Sequence, residues 1–364
     1  MKGHKTITET MTISNRTGGR ILGFGGGSPQ RHTPSYDRGN SSLIWGTSDT
    51  GSPMIDLAGA NYNIDHLTFM GDDYSGSGGL SGYTLYGGKP TSGVEVSYDA
   101  GLGSGKHILT KCSFFKMGNG LKGGDYAETH SNCDDVIVNN CSFHNCDVGV
   151  QLNHNQVQDW NFYHPRFENL YTQTGQVCFE FNGGGNHNIY GGLVAFPCTL
   201  MKFDNTNSLL GANVGRFSVY GFKADTQVTN DFLLVDTQPN GHAFTNGIDI
   251  WINGFNIEAF SGNLYADDTK YFAKIRGGAR LHFVNCRFNT ALDSAIYWDD
   301  TDVTVHRNMV TFTGCEFTST TMTALGDVMD DTNSVGSCWL HGRDNFTHLG
   351  VMLSAVDNTE FAVP

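Results

Sequence analysis

The sequence predicts an all-β chain wound as a right-handed parallel β-helix, a solenoid of about ten rungs, and three observations lead there. A pattern of the form apolar-x-x-small-x-Phe recurs with its last member at Phe69, Phe114, Phe143, Phe167, Leu193, Phe222, Ile257, Phe288 and Phe317. Copies lie 24 to 35 residues apart after a first gap of 45, and self-similarity on that scale marks units that bury their apolar faces on one another. The segments are short, rich in β-branched and aromatic residues and bounded by Gly, Asn and Asp, with no apolar period of 3.6 residues, so they read as strands. A second alternating strand follows most copies, which gives two or three short strands per repeat. Propeller blades need four strands and about 40 residues or more, and leucine-rich repeats need a fixed Leu grid that this chain lacks.

Taken in order, the first element is Thr6-Ile-Thr-Glu-Thr-Met-Thr-Ile13, which alternates as a strand. A glycine-rich turn, Gly18 to Gly27, leads to strands at Ser42-Leu-Ile-Trp45, Met54-Ile-Asp-Leu57 and Ile64-Asp-His-Leu-Thr-Phe69. The turn is no dinucleotide fingerprint or P-loop, because no helix follows and no Lys-Ser/Thr closes it. The clearest repeats are Leu109-Thr-Lys-Cys-Ser-Phe114, Val138-Asn-Asn-Cys-Ser-Phe143, Phe162-Tyr-His-Pro-Arg-Phe167, Phe283-Val-Asn-Cys-Arg-Phe288 and Phe312-Thr-Gly-Cys-Glu-Phe317. The second strands are Val148–Leu152, Val177–Phe181, Thr199–Phe203, Phe232–Val235, Tyr271–Ile275 and Ala295–Trp298. Beyond 317 the repeat is lost, although Ser337–His341 and Leu349–Leu353 still alternate. The expected organisation is one domain, residues 1–317 forming the helix and 318–364 capping its end, since a solenoid grows along one axis without splitting.

Composition fits stacked rungs: 47 Gly and 24 Phe among 364 residues, 8 Pro, and 16% charged residues. The net charge of −14 and the absence of a basic run argue against nucleic acid as the main partner. No apolar run of 18 residues exists, so no membrane span is expected, and the first residues lack the apolar segment of a signal peptide. Nine cysteines without a C-x-x-C argue against a disulfide or zinc framework. Cys112, Cys141, Cys286 and Cys315 share the small position of the repeat and read as a packing column.

The order of a Gly-Arg-Ile-x-Gly turn, a short strand, an Ile-x-Leu strand and an Ile-x-x-Leu-Thr-Phe strand resembles the start of the pectate-lyase-like β-helix proteins, including phage tailspikes and capsule depolymerases. The resemblance covers roughly residues 6 to 320 and speaks to fold, since that superfamily holds lyases, hydrolases, epimerases and non-catalytic binders. It implies a polysaccharide partner, an extracellular or virion-associated setting and a homotrimer. The N-terminal cap such proteins carry, built on Leu-Pro-x-Gly-x-Tyr, is absent here, so either an excised domain or a cap supplied by other means is expected. The family's catalytic motifs do not transfer: Asp134-Asp135 leads the other strand, and Gly241-His242 is followed by Ala243.

A site must then come from the solenoid itself. Equivalent positions on neighbouring parallel strands stand about 4.8 Å apart on one face. Aligning Leu152, Phe181, Phe203, Val235, Ile275 and Trp298 as inward residues puts Gln151, Glu180, Lys202, Leu234, Lys274 and Tyr297 in one outward column. The next position holds Asn153, Asn182, Asp204, Asp236, Arg276 and Asp299. Adjacent carboxylates cannot both ionise cheaply, which suits a general acid beside a base, and one- or two-strand separations match the carboxyl spacing of glycoside hydrolysis, about 5 to 9.5 Å. Glu180, Asp204 and Asp236 are therefore the expected acid/base groups, with Lys202 as charge partner. In uronate elimination Lys202 or Arg276 would neutralise the sugar carboxylate. Gln151, Asn153, Asn182 and Arg276 would contact substrate, as would His187 after the Gly183-Gly-Gly turn. The alternative is a ladder that satisfies turn amides, with Glu180 and Lys202 as a surface pair.

A loop holding Asp125, Tyr126, Glu128 and His130 is a second candidate, with an exposed acidic loop as the alternative. Tyr126, Trp160, Tyr163, Tyr190 and Tyr297 are of the type that stacks on sugar rings. No cofactor or metal is expected, although Asp72-Asp73 leaves room for a divalent cation. The chain thus reads as a polysaccharide hydrolase or lyase, with a glycan-binding spike or a purely structural solenoid as the alternatives.

Overall fold

The computed structural model describes residues 4–14, 18–23, 41–59, 61–71, 89–97, 104–125, 132–154, 156–168, 176–183, 185–195, 198–204, 215–226, 233–236, 248–259, 273–276, 279–289, 296–298, 307–317, 329–330, 337–347 and 356–362. Among them every regular element is a β-strand, and no helix is long and apolar enough to cross a membrane. The chain divides into two compact units, residues 1–169 and 170–364.

In the first unit the chain visits three all-parallel sheets in a fixed order. The first sheet holds His4–Ile7, Ser41–Trp45, Leu67–Met70, Ser113–Phe115, Ser142–His144 and Arg166–Glu168. Met11–Ile13, Ile55–Leu57, Ser92–Val96, Asn119–Gly123 and Val148–Leu152 form the second. The third comprises Gly19–Leu22, Tyr62–Asp65, Ile108–Thr110, Ile137–Asn139 and Asn161–Tyr163. Parallel pairing throughout, with every chain return passing through two other sheets, is compatible with a parallel β-helix. The opening segment, expected as one strand from Thr6 to Ile13, is two, because the chain turns between Ile7 and Met11.

Each copy of the repeat is a corner rather than a strand. Its apolar residue lies near the end of a third-sheet strand, which the first x closes, the second x turns the chain, and the Phe lies inside the first-sheet strand that follows. The turning residue takes a left-handed backbone at His66, Lys111, Asn140 and His164, with φ of 54°, 49°, 52° and 50°. That conformation costs a non-glycine residue about 1 kcal/mol, which the packing it permits offsets. Phe69, Phe114, Phe143 and Phe167 then stack in register, with ring centroids 4.8, 5.1 and 5.0 Å apart. At Gly123 a side chain would meet the Trp160 ring at 2.7 Å. The missing side chain therefore admits Trp160, whose Nε1 donates to the Cys133 carbonyl at 2.7 Å.

The second unit follows the same order with longer third-sheet strands: Asn186–Tyr190, Gly215–Tyr220, Ile248–Asn253, Ala279–Val284, Arg307–Thr313 and Ser337–Arg343. A final strand, Val356–Ala362, pairs antiparallel with Ser337–Arg343 and ends the parallel ladder at that edge. Residues 349–353, expected as a strand, lie outside the described residues. Phe288 and Phe317 stack at 5.0 Å, and beside them Phe283 and Phe312 at 5.1 Å.

The Phe column differs from expectation at two levels. In register with Phe288 and Ile257 come Ala224 and Val194, not Phe222 and Leu193. The chain turns at Gly221, φ 62°, and Phe222 fills the small position of the repeat, where it stacks on Phe255 at 5.9 Å. At this level the ring sits at the corner and the residue two on is the small Ala224. Leu193 is half-buried beside the Gly191-Gly192 turn, and Val194 is the buried residue.

The cysteine column is present. Cys112, Cys141, Cys286 and Cys315 are buried and free. Each thiol donates to the carbonyl of the apolar repeat residue one strand earlier, Ile64, Leu109, Ile252 and Phe283, at 3.3 to 3.6 Å.

Candidate functional site

The outward column of the second sheet has the register the sequence predicts. In the second unit Glu180 pairs with Lys202, Lys202 with Leu234, Leu234 with Lys274 and Lys274 with Tyr297. Asp204, Asp236 and Arg276 are register partners in turn. Lys202 Nζ lies 3.6 Å from Glu180 Oε2, and Asn182 Nδ2 donates to Glu180 Oε1 at 3.0 Å. Lys274 sits over the Tyr297 ring, 5.3 Å from its centroid. The first unit carries the same motif, with Lys122 Nζ 2.8 Å from Glu95 Oε1.

Other expected contacts fall elsewhere. Gln151 stays half-buried in the outward column, accepting from Asn153 Nδ2 at 3.5 Å, but Asn153 itself is 6% exposed. His187 is 2% exposed, because strand alternation turns it inward, where its ring stacks on Phe181 at 5.5 Å and tilts against Phe217 at 5.3 Å. Burial lowers its pKa to about 3, so it is a neutral core residue and not a substrate contact. Trp160 is likewise core. Asp125 is half-buried, while Tyr126, Glu128, His130, Asp299, Asp72 and Asp73 lie outside the described residues. Among the described residues no cluster of three His, Cys, Asp or Glu could hold a metal.

The richest array of polar and aromatic side chains was not foreseen. It covers the outer face of the long third-sheet strands in the second unit. Alternation along five or more residues gives each strand two or three outward positions, and the register aligns them. One column runs Asn186, Arg216, Asp249, Arg280, the next Asn188, Ser218, Trp251, His282, Thr311, and the last begins Tyr190, Tyr220, Asn253.

Within it, Tyr190 and Tyr220 stack at 5.2 Å. Trp251 is held between two cations or potential cations, with the Arg216 guanidinium 5.6 Å above the ring and His282 stacked at 4.1 Å. His282 Nε2 lies 3.0 Å from Asp249 Oδ1, and Nδ1 lies 2.9 Å from Thr311 Oγ1. Burial lowers the His282 pKa, and Arg280 and Arg216 add to this against the opposing pull of Asp249. His282 therefore accepts or donates as a neutral ring. Alternation in Gly215-Arg-Phe-Ser-Val-Tyr220, Ile248-Asp-Ile-Trp-Ile-Asn253 and Ala279-Arg-Leu-His-Phe-Val284 was the signal that would have found this face.

The chain matches no protein-family model, no curated protein and no solved structure.

Proposed function

We propose that the chain is a right-handed parallel β-helix of the kind the N-terminal pattern resembles, that it binds a long polysaccharide along its outer faces, and that it cleaves it. One observation carries this reading. On the long-strand sheet, consecutive strands about 4.8 Å apart present tyrosines, a tryptophan stack and hydrogen-bonding groups from Arg216, Asp249 and His282 on a single face. Aromatic bodies with polar edges are what sugar rings require. A linear array of such groups suits a linear polymer. Glu180, Asp204 and Asp236 remain the proposed acid/base groups and Lys202 their charge partner, without a cofactor. An extracellular or virion-borne homotrimer is the setting this reading implies.

A binding-only spike is the second reading, and the closed contact of Glu180 with Lys202 and Asn182 favours it, since a carboxylate so engaged is poorly placed to exchange a proton. Reducing-end release and absorbance of unsaturated uronates over a panel of acidic and neutral polysaccharides test the proposal. New reducing ends alone mean a hydrolase, both signals a lyase, binding without either a spike, and no binding at all overturns it.

A further inference from the structure

Arg216, Asp249 and Arg280 are consecutive register partners on three adjacent strands, yet the carboxylate does not pair with either guanidinium. It meets His282 instead. Arg216 is exposed and lies over the Trp251 ring. Arg280 is half-buried, and its Nε, fully screened from solvent, has no hydrogen-bond partner among the described residues. Arg343, exposed at the end of the same face, also has no ion-pair partner among them. A buried donor without a partner costs about 1 to 3 kcal/mol, and a guanidinium is built to grip a carboxylate in two places.

The charge balance of the face runs against that of the chain. On its parallel strands the described carboxylate is Asp249, beside the guanidinium groups of Arg216, Arg280 and Arg343, and burial lowers the His282 pKa. Glu360, on the closing antiparallel strand, is the register partner of Trp339 at the far edge. The chain as a whole carries −14. A locally basic surface on an acidic molecule is a selective attractor, because the rest of the surface repels the same ligand.

We propose that this face recognises an acidic polysaccharide through its carboxylates, one held by Arg216 and another by Arg280. This rests on the reading that the chain binds glycans and narrows it to the charged class. Arg216 and Arg280 stand two strands apart, roughly 9.6 Å along the sheet, the scale on which charges recur along linked sugar rings. Trp251 fixes Arg216 through its ring face, and His282 draws Asp249 aside so that it does not quench Arg280. Nucleic acid, the other common polyanion, fits less well, because it demands a density of basic groups that the face does not have.

The test uses the full chain and fluorescently labelled polygalacturonate, alginate and hyaluronate, with unlabelled dextran as neutral competitor and a single-stranded oligonucleotide as the other polyanion. Expected results are binding to at least one carboxylated polymer, steep weakening with added salt, and loss of about tenfold in affinity for Arg216→Met and for Arg280→Met. Asp249→Asn should strengthen binding, which guards against reading misfolded arginine variants as support. Salt-insensitive binding that dextran competes away overturns the acidic class while leaving glycan binding intact. Preference for the oligonucleotide, or carboxylate binding untouched by all three variants, overturns the assignment to this face. Failure to bind any polymer overturns both this inference and the function it rests on.

Discussion

Asp249 meets the ring of His282, 3.0 Å from Nε2, although its register partner on that strand is Arg280. The choice is made by Trp251, whose ring stacks on His282 at 4.1 Å and fixes the imidazole plane. His282→Phe keeps the stack and removes both polar contacts, so Asp249 and Thr311 each lose a partner. Chemical denaturation should report a loss of about 1 to 2 kcal/mol. An unchanged midpoint would mean that Asp249 turns to Arg280 without cost.

His187 makes the fold sensitive to acid. Its folded pKa of about 3 lies below the ordinary 6.5, so between those values the unfolded chain takes up a proton that the folded chain refuses. Stability from this group is full above pH 6.5 and is lost as pH falls towards 3, by about 2 kcal/mol between pH 7 and pH 5. His107, lowered to about 4 by burial, acts in the same direction. The wild-type urea midpoint should fall over this range, and His187→Phe should reduce the fall. Equal pH dependence in the two proteins would show that His187 does not carry the effect.

How much of this was legible follows from what a one-dimensional pattern encodes. Register was legible: inward Phe181, Phe203, Val235 and Ile275 fix Glu180, Lys202, Leu234 and Lys274 by alternation, and parallel pairing leaves no other alignment. Volume exchange was not, because a search for a large last residue picks Phe222 over Ala224 when the ring has moved to the corner. Nor was the inward turn of His187, which follows glycines that resemble a loop. The long-strand face went unread because its strands run into the repeat, and alignment of the second strands alone hid them.

The exchange between Phe222 and Ala224 is testable. Ala224→Phe adds a ring to a filled level and should cost about 1 to 3 kcal/mol. Adding Phe222→Cys, which restores the pattern of Cys286 and Phe288, should recover most of that loss. If the double variant is no more stable than Ala224→Phe alone, the two positions do not share one space.

In the first unit Glu168 lies against His144, 3.4 Å from Nδ1, and pairs with Arg166 through Oε1, with the glutamate 4% exposed. Burial alone would raise its pKa, but His144 and Arg166 overcome this and hold it near 2. Its stabilising contribution is thus present above the ordinary 4.5 and fades as pH falls towards 2. Glu168→Gln strips the charge and leaves a buried cation site uncompensated, an expected loss of about 3 kcal/mol at pH 7. A loss no larger at pH 7 than at pH 2.5 would sink this account.

The proposed chemistry is tested at the second-sheet column. Glu180→Gln, Asp204→Asn and Asp236→Asn each preserve shape and remove a charge, and a true general acid or base should lose on the order of 10²-fold in activity or more. Lys202→Met bears on the same column from the other side: Lys202 Nζ lies against Glu180, so its loss should alter the pH profile as well as the rate. Glu180 and Lys202 are half-buried on the outer face, so Glu180→Gln and Lys202→Met should keep their unfolding midpoints within about 0.5 kcal/mol. If a polysaccharide cleaved by the parent is cleaved as fast by every variant, the acid and base lie elsewhere. Asp249 and His282, already in contact on the long-strand face, are then the pair to change next.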